Sequence, residues 1–169
     1  MAPALKITSE LFLGIPIRDL ALFLGLIISA VAMGAALAHA LELPNKIAMP
    51  RDDYFVTQQA YRGWSQLAWI LIAQLASLIW IANIYRHQPT VLWPVLIAIG
   101  CLVGAQALFW AFTFPANRAT RNWTWIPDDW EKVRQQWEYS HAGGAAFQMV
   151  GLAALIVAAL SRGHISISG

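Results

Sequence analysis

Two short stretches of this chain place an imidazole and a carboxylate three residues apart. They are His39 and Glu42 in AHALELP (38–44), and Glu138 and His141, in the reverse order, in WEYSHAGGAAF (137–147). Each pair stands where an apolar run ends or begins, and such pairs support several chemistries. As ligands, His39, Glu42, Glu138 and His141 can hold one or two metal ions. Glu-x-x-His on bundle helices is how di-iron carboxylate proteins present their ligands, but a full di-iron set takes further carboxylates. A single Zn, Fe or Cu between His39 and His141 is the simpler version. The same histidines can ligate a haem from opposing helices. With no metal or haem, a histidine is a general base and its glutamate the orienting partner, while Asn117, Arg118 or Arg134 steadies an anionic substrate oxygen. A His–Glu pair at a helix mouth also serves as a plain structural clasp, and that reading stands beside the other three.

The elements that must position these residues are membrane helices. The chain of 169 residues is 59% hydrophobic and 12% charged, outside the usual range of soluble domains. A bilayer core is crossed by about 20 apolar residues of helix. Four stretches qualify, at about 20–42, 64–85, 92–113 and 141–161. Pro44, Pro89, Pro94 and Pro115 are expected to punctuate their ends. The fold class expected is all-α, a single integral membrane four-helix bundle over 1–169. PDDWEKVRQQWEYSH predicts a helix starting near 128, with Asp128 as N-cap and Glu131 closing a capping box. The fourth helix should therefore extend out of the bilayer. A second helix is expected to begin near Asp52 and run into span two past Gly63. The segment LKITSELFLGIPI reads as interfacial rather than spanning, and no cleavable leader is expected.

Four spans put both termini on one side (A) and the connections at about 43–63 and 114–140 on the other (B). Side B carries Lys46, Arg51, Arg62, Arg118, Arg121, Lys132 and Arg134, against Lys6, Arg18, Arg86 and Arg162 on side A. The positive-inside rule then assigns side B to the cytoplasm, and the expected location is a bacterial inner membrane. A net charge of +2 with no dense basic stripe excludes nucleic acid as a partner class. Cys101, the one cysteine, leaves no internal disulfide and reads as a core or lipid-facing residue.

Residues three apart on a helix differ by about 60° around its axis, so each acid–histidine pair shares a face. Because the spans alternate in direction, the end of span one and the start of span four lie at one depth, and the pairs can meet. Gln106, Trp110, Thr113 and Asn117 form a polar and aromatic stripe on span three; Trp130, Arg134, Trp137, His141, Gly144, Gln148 and Gly151 repeat the stepping on span four. Ionisable groups at membrane depth are costly and mark function. The bland alternatives are ordinary tryptophan belts, Gly143, Gly144 and Gly151 as close-packing positions, Gln74, Asn83 and Gln148 as interhelical hydrogen-bond glue, and solvated His87 and His164.

ALAHALELPNKI, together with FPANRATRNWTWIPDDWEKVRQQWEYSHAGGAA, resembles the four-span anthrone-oxygenase-like membrane family, whose bacterial members are mostly labelled domains of unknown function. The resemblance spans about 20–160 and carries over His39, Glu42, Asn117, Arg118, Trp130, Arg134, Trp137, Glu138 and His141. It implies oxidation of an anthrone-like substrate by dioxygen without an added cofactor. The reading that results is an oxygenase-like enzyme acting on a hydrophobic, aromatic small molecule. His141 is its base or ligand, with Glu138 and Glu42 orienting it, and His39 a second base or ligand. Asn117 with Arg118 or Arg134 holds the substrate oxygen, and Gln106, Trp110, Trp130 and Trp137 wall the pocket. The rival class is a non-catalytic subunit or a haem- or metal-binding protein, as a homo-oligomer or within a larger membrane complex.

Overall fold

In the computed structural model, which describes residues 11, 12 and 14–162, the chain is an all-α bundle of four helices long and apolar enough to cross a membrane. A two-residue antiparallel pair, β1 (Leu11–Phe12) with β2 (Ile15–Pro16), precedes α1 (Ile17–Lys46). Most of the segment read as interfacial, with Lys6 and His164, lies outside the described residues. The remaining elements are α2 (Arg51–Gln58), α3 (Leu67–Ile84), α4 (Pro89–Leu108), α5 (Phe114–Ala119) and α6 (Trp130–Ser161). A π-helical turn, Phe109–Thr113, joins α4 to α5 as one membrane-length helix.

The lipid-facing surfaces are apolar. Phe23, Ile27, Val31, Trp69, Ile72, Val103 and Leu160 are all exposed, a display that water would penalise and hydrocarbon does not. The 32 residues of α6 rise about 48 Å, against about 30 Å of bilayer hydrocarbon. Its amino-terminal turns therefore project from the membrane, as the sequence indicates.

Helices pack in the cyclic order α1, α3, α4, α6 and back to α1, with α6 making long contacts with both α1 and α4. At the side A end the core is dry and tight: Ala21, Leu22, Leu78, Ile81, Val91, Val95, Leu155 and Ala158 form one cluster. Gly25 permits this closeness, since a Cβ there would meet Ile81 Cδ1 at 2.5 Å. Midway, Gln74 donates to Gln148 Oε1 at 3.0 Å and to Ser29 Oγ at 3.3 Å, a buried polar seam joining α1, α3 and α6. Toward side B a second cluster, Tyr54, Phe55, Ala116, Trp123, Val133 and Trp137, caps the bundle.

Several local expectations are corrected. Pro44 lies inside α1, two residues before its end, Pro94 lies in the second turn of α4, and Pro115 sits in the first turn of α5; only Pro89 begins a helix. Pro89, at the first position of α4, forfeits no helical N–H bond, whereas the other three stand where a helical N–H would bond one turn back. Pro115 also follows directly on the π turn, in which the Phe114 N–H reaches back to the Phe109 carbonyl; the ring crowds the preceding turn and widens it. The helix expected to run from Asp52 into span two is broken. It ends at Gln58, passes through a 3₁₀ turn, reverses at Gly63 with φ 89°, and resumes through a second 3₁₀ turn into α3. The Asp128 capping box does not form: the N-cap is Asp129, with no side-chain cap bond.

Candidate functional site

Between α1, α3, α4 and α6 the bundle splays toward side B around a cavity of about 1470 Å³. Small residues create the width. Ala32, Ala35 and Ala36 on α1 and Gly144 on α6 line it, and a Cβ at Gly144 would meet nothing within 4 Å. Gly143 and Gly151 behave as close-packing positions instead, the first against Leu108 and the second against Cys101. Gln148 stands at the deep end of the cavity, and the polar end carries His39, Tyr61, Asn117, Arg118 and His141.

The two imidazoles meet across that end. Their ring centroids are 4.2 Å apart and the planes 29° from parallel, so they stack. Trp137 leans on His141 at 4.1 Å, and Tyr61 and Trp64 flank His39 at 4.6 and 5.2 Å. His39 is buried and its Nδ1 has no hydrogen-bond partner. Among the described residues, no hydrogen bond joins either imidazole to a carboxylate.

The carboxylates have gone elsewhere. Glu138 is fully buried, and its Oε1 accepts from Tyr54 Oη at 2.9 Å and Gln58 Nε2 at 3.3 Å. The same oxygen lies 2.9 Å from Lys46 Nζ, making a buried ion pair between the end of α1 and the start of α6. Lys46 also donates to Tyr61 Oη at 3.1 Å and lies 4.5 Å from the Tyr61 and Trp137 ring centroids. Tyr61 in turn donates to Glu42, whose side chain is 46% exposed. Burial, reinforced by the Glu138 charge, pushes the Tyr54 phenol far above its usual range; burial and the bond to Glu42 do the same for Tyr61. Both therefore remain protonated donors at any ordinary pH. The acid–histidine pairs expected on α1 and α6 thus separate into two layers, a charged clasp at the side B end of the bundle and an imidazole pair facing the cavity.

Asn117 ties the aromatic wall together. Its Oδ1 accepts from Trp123 Nε1 at 3.0 Å and Trp137 Nε1 at 2.9 Å, and its amide nitrogen is left for the cavity it lines. Arg118 and Gln106 also line the cavity, and Trp110 does so from a largely lipid-exposed position. Arg134 and Trp130 do not. The Arg134 guanidinium donates to the Met49 carbonyl at 2.8 Å and stacks on Trp130 at 4.6 Å, locking α6 to the α1–α2 turn.

The expected metal set is not assembled. Among the described residues no group of three or more His, Cys, Asp and Glu side chains is placed to hold a metal ion. Glu138 and Glu42 are engaged by Lys46 and Tyr61, and stacked rings do not aim two lone pairs at one point. A haem between the histidines does not fit either: an iron takes axial imidazoles from opposite faces of the macrocycle, whereas these rings lie face to face at 4.2 Å.

Lys46, Tyr54, Gln58, Tyr61 and Trp123 join the site although none was expected there. Lys46 carries one usable signal, its place one turn after Glu42 on the same face. Trp123 carries none. It reaches Asn117 because Arg121, Asn122 and Trp123 adopt φ of 50°, 56° and 65° in succession, a left-handed run that non-glycine residues rarely make. Searches with protein-family models, curated proteins and solved structures return nothing that matches this chain.

Proposed function

We propose that the protein is a membrane-embedded, oxygenase-like enzyme acting on a hydrophobic aromatic small molecule, a member of the anthrone-oxygenase-like family that its motifs resemble. The observation that carries this reading is the His39–His141 pair: two imidazoles at the polar end of an otherwise apolar cavity, neither claimed by a carboxylate. A substrate with a methylene activated by a carbonyl of the same ring system lies with that carbon at His141 and its oxygen toward Asn117 and Arg118. The imidazole nitrogen takes one C–H proton, and the amide and guanidinium groups hold the resulting enolate oxygen. The electron-rich carbon then reduces dioxygen. Overall a CH₂ group and O₂ become a carbonyl and water, with dioxygen as the only oxidant. Trp137, buried between Lys46 and His141, backs the imidazole and holds its orientation. Arg134 and Glu138, held in the clasp, position the helices that carry the site, and on the positive-inside count the site opens toward the cytoplasm of a bacterial cell.

The test is oxidation of an anthrone by the purified protein in lipid nanodiscs, followed by oxygen uptake and product absorbance. His141→Ala is expected to lower the rate by roughly 10²–10⁴-fold, the usual contribution of a general base, with unchanged folded yield because the imidazole makes no structural hydrogen bond. A wild-type protein inactive on every anthrone tried, or variants of His141 and His39 that both turn over at the wild-type rate, would defeat the reading.

A further inference from the structure

The cavity is larger than a flat tricyclic substrate requires. Pockets for drug-sized ligands span about 300–1,000 Å³, against about 1470 Å³ here. Ala32 lies seven residues, or about 10 Å of helix rise, below His39 on α1, so the space continues well into the bilayer beneath the imidazoles. Its walls there are mostly hydrocarbon, Leu71, Ile72 and Leu75 from α3 and Leu102 and Val103 from α4, with the Gln148 amide held by Gln74. Ile72 and Val103 are at the same time among the most exposed apolar residues of the bundle, at 57% and 58%. Side chains that line a cavity and also face lipid mark a place where the cavity meets the bilayer. That place is the α3–α4 seam, where these neighbouring spans touch far less than α4 touches α6. The charged groups gather at the other end, where Arg62, Arg118 and Arg121 line the mouth at side B.

An apolar space continuous with lipid, closed at its head by hydrogen-bonding groups, matches a molecule with the same division. We propose that the ligand is a bilayer-resident amphiphile, an aromatic head bearing hydroxyl or carbonyl oxygens with a long apolar tail, and that it reaches the site sideways between α3 and α4. The head lies against His141, Asn117 and Arg118, and the tail runs past Leu71, Leu75 and Val103 into the hydrocarbon. This deepens the function proposed above by naming its substrate class and route, and it rests on that reading only for what happens at the head.

The experiment uses the full chain in phosphatidylcholine nanodiscs and a phenol carrying a dodecyl tail with a mid-chain diazirine. After photolysis, adducts are mapped by peptide mass spectrometry. Adducts concentrated on Ile72, Leu75 and Val103, suppressed at least fivefold by excess unlabelled dodecylphenol, are the expected result. Gly144→Phe places a ring in open cavity space and should cut the same adducts at least fivefold. Ala36→Leu, from the α1 wall, asks the same question should Gly144→Phe fold poorly. Adducts spread evenly over lipid-facing positions such as Phe23, Trp93 and Leu160, or indifferent to the competitor and to both variants, would overturn the proposal. The two readings fail separately: a protein that turns over anthrone but gives spread, uncompeted adducts keeps the oxidation and loses the route. Mapped adducts with an anthrone-inactive enzyme would keep the lipid route and remove the oxidation.

Discussion

Replacing Lys46 with methionine tests whether the buried ion pair is the clasp that holds the side B end together. The lysine is 2% exposed and Glu138 fully buried, with Nζ and Oε1 2.9 Å apart. Methionine fills similar volume but leaves the carboxylate without its cation, and breaking one side of a buried pair costs about 3–5 kcal/mol. At roughly 2–4 °C per kcal/mol for a chain of this size, the apparent Tm should fall by about 6–20 °C. Scans must share one heating rate, because the midpoint becomes kinetic wherever unfolding is irreversible. Circular dichroism in detergent is a sufficient readout. A second substitution separates the charge effect from simple loss of packing. In Lys46→Met/Glu138→Gln the amide oxygen still accepts from Tyr54 and Gln58 but bears no charge, so at least half of the lost Tm should return. The reasoning is refuted if Lys46→Met melts within about 2 °C of the parent, or if adding Glu138→Gln lowers the midpoint further.

Two more outcomes follow from the geometry of the wall. Asn117→Leu removes the shared acceptor of the Trp123 and Trp137 indoles; at about 1–3 kcal/mol per orphaned donor, it should lower the melting midpoint measurably and alter the near-ultraviolet dichroism of the tryptophans. Adjacent glycines should differ in the same melting assay. Gly144→Ala meets open space and should gain up to about 1 kcal/mol of helix propensity, while Gly143→Ala sets a Cβ 2.8 Å from the terminal Leu108 Cδ1, which must swing aside, and should gain less.

The spans and the protruding fourth helix were legible because lipid leaves the backbone little choice: long apolar runs must be helices, and length sets what protrudes. The meeting of His39 with His141 was legible for a related reason, since alternating spans fix depth and helical spacing fixes the face. Which partner each side chain takes was not legible. Spacing alone makes Glu138 the neighbour of His141, yet the carboxylate binds Lys46, which is brought within reach because α1 continues through Pro44 to its next turn. Tyr54 and Tyr61 enter the clasp only because the chain breaks at Gly63, so that α2 folds back over the bundle end instead of extending α3. The π turn before Pro115 and the left-handed run at Arg121–Trp123 depend on tertiary packing and leave no periodic trace.

The separation of carboxylates from imidazoles has a consequence for chemistry. A glutamate hydrogen-bonded to a catalytic imidazole fixes its tautomer, but it also occupies one of the two ring nitrogens. Here Lys46, Tyr54 and Gln58 all engage Glu138 through Oε1, Tyr61 donates to Glu42, and the rings are held by stacking on each other, on Trp137 and on Tyr61. Stacking fixes orientation while leaving ring nitrogens to whatever enters the cavity. It also keeps the negative charges of the region paired and away from the mouth, where arginines remain. On the proposed reading that arrangement favours an enolate over the neutral ketone: the developing oxygen anion meets Asn117 and Arg118, and no carboxylate lies beside it to oppose the charge.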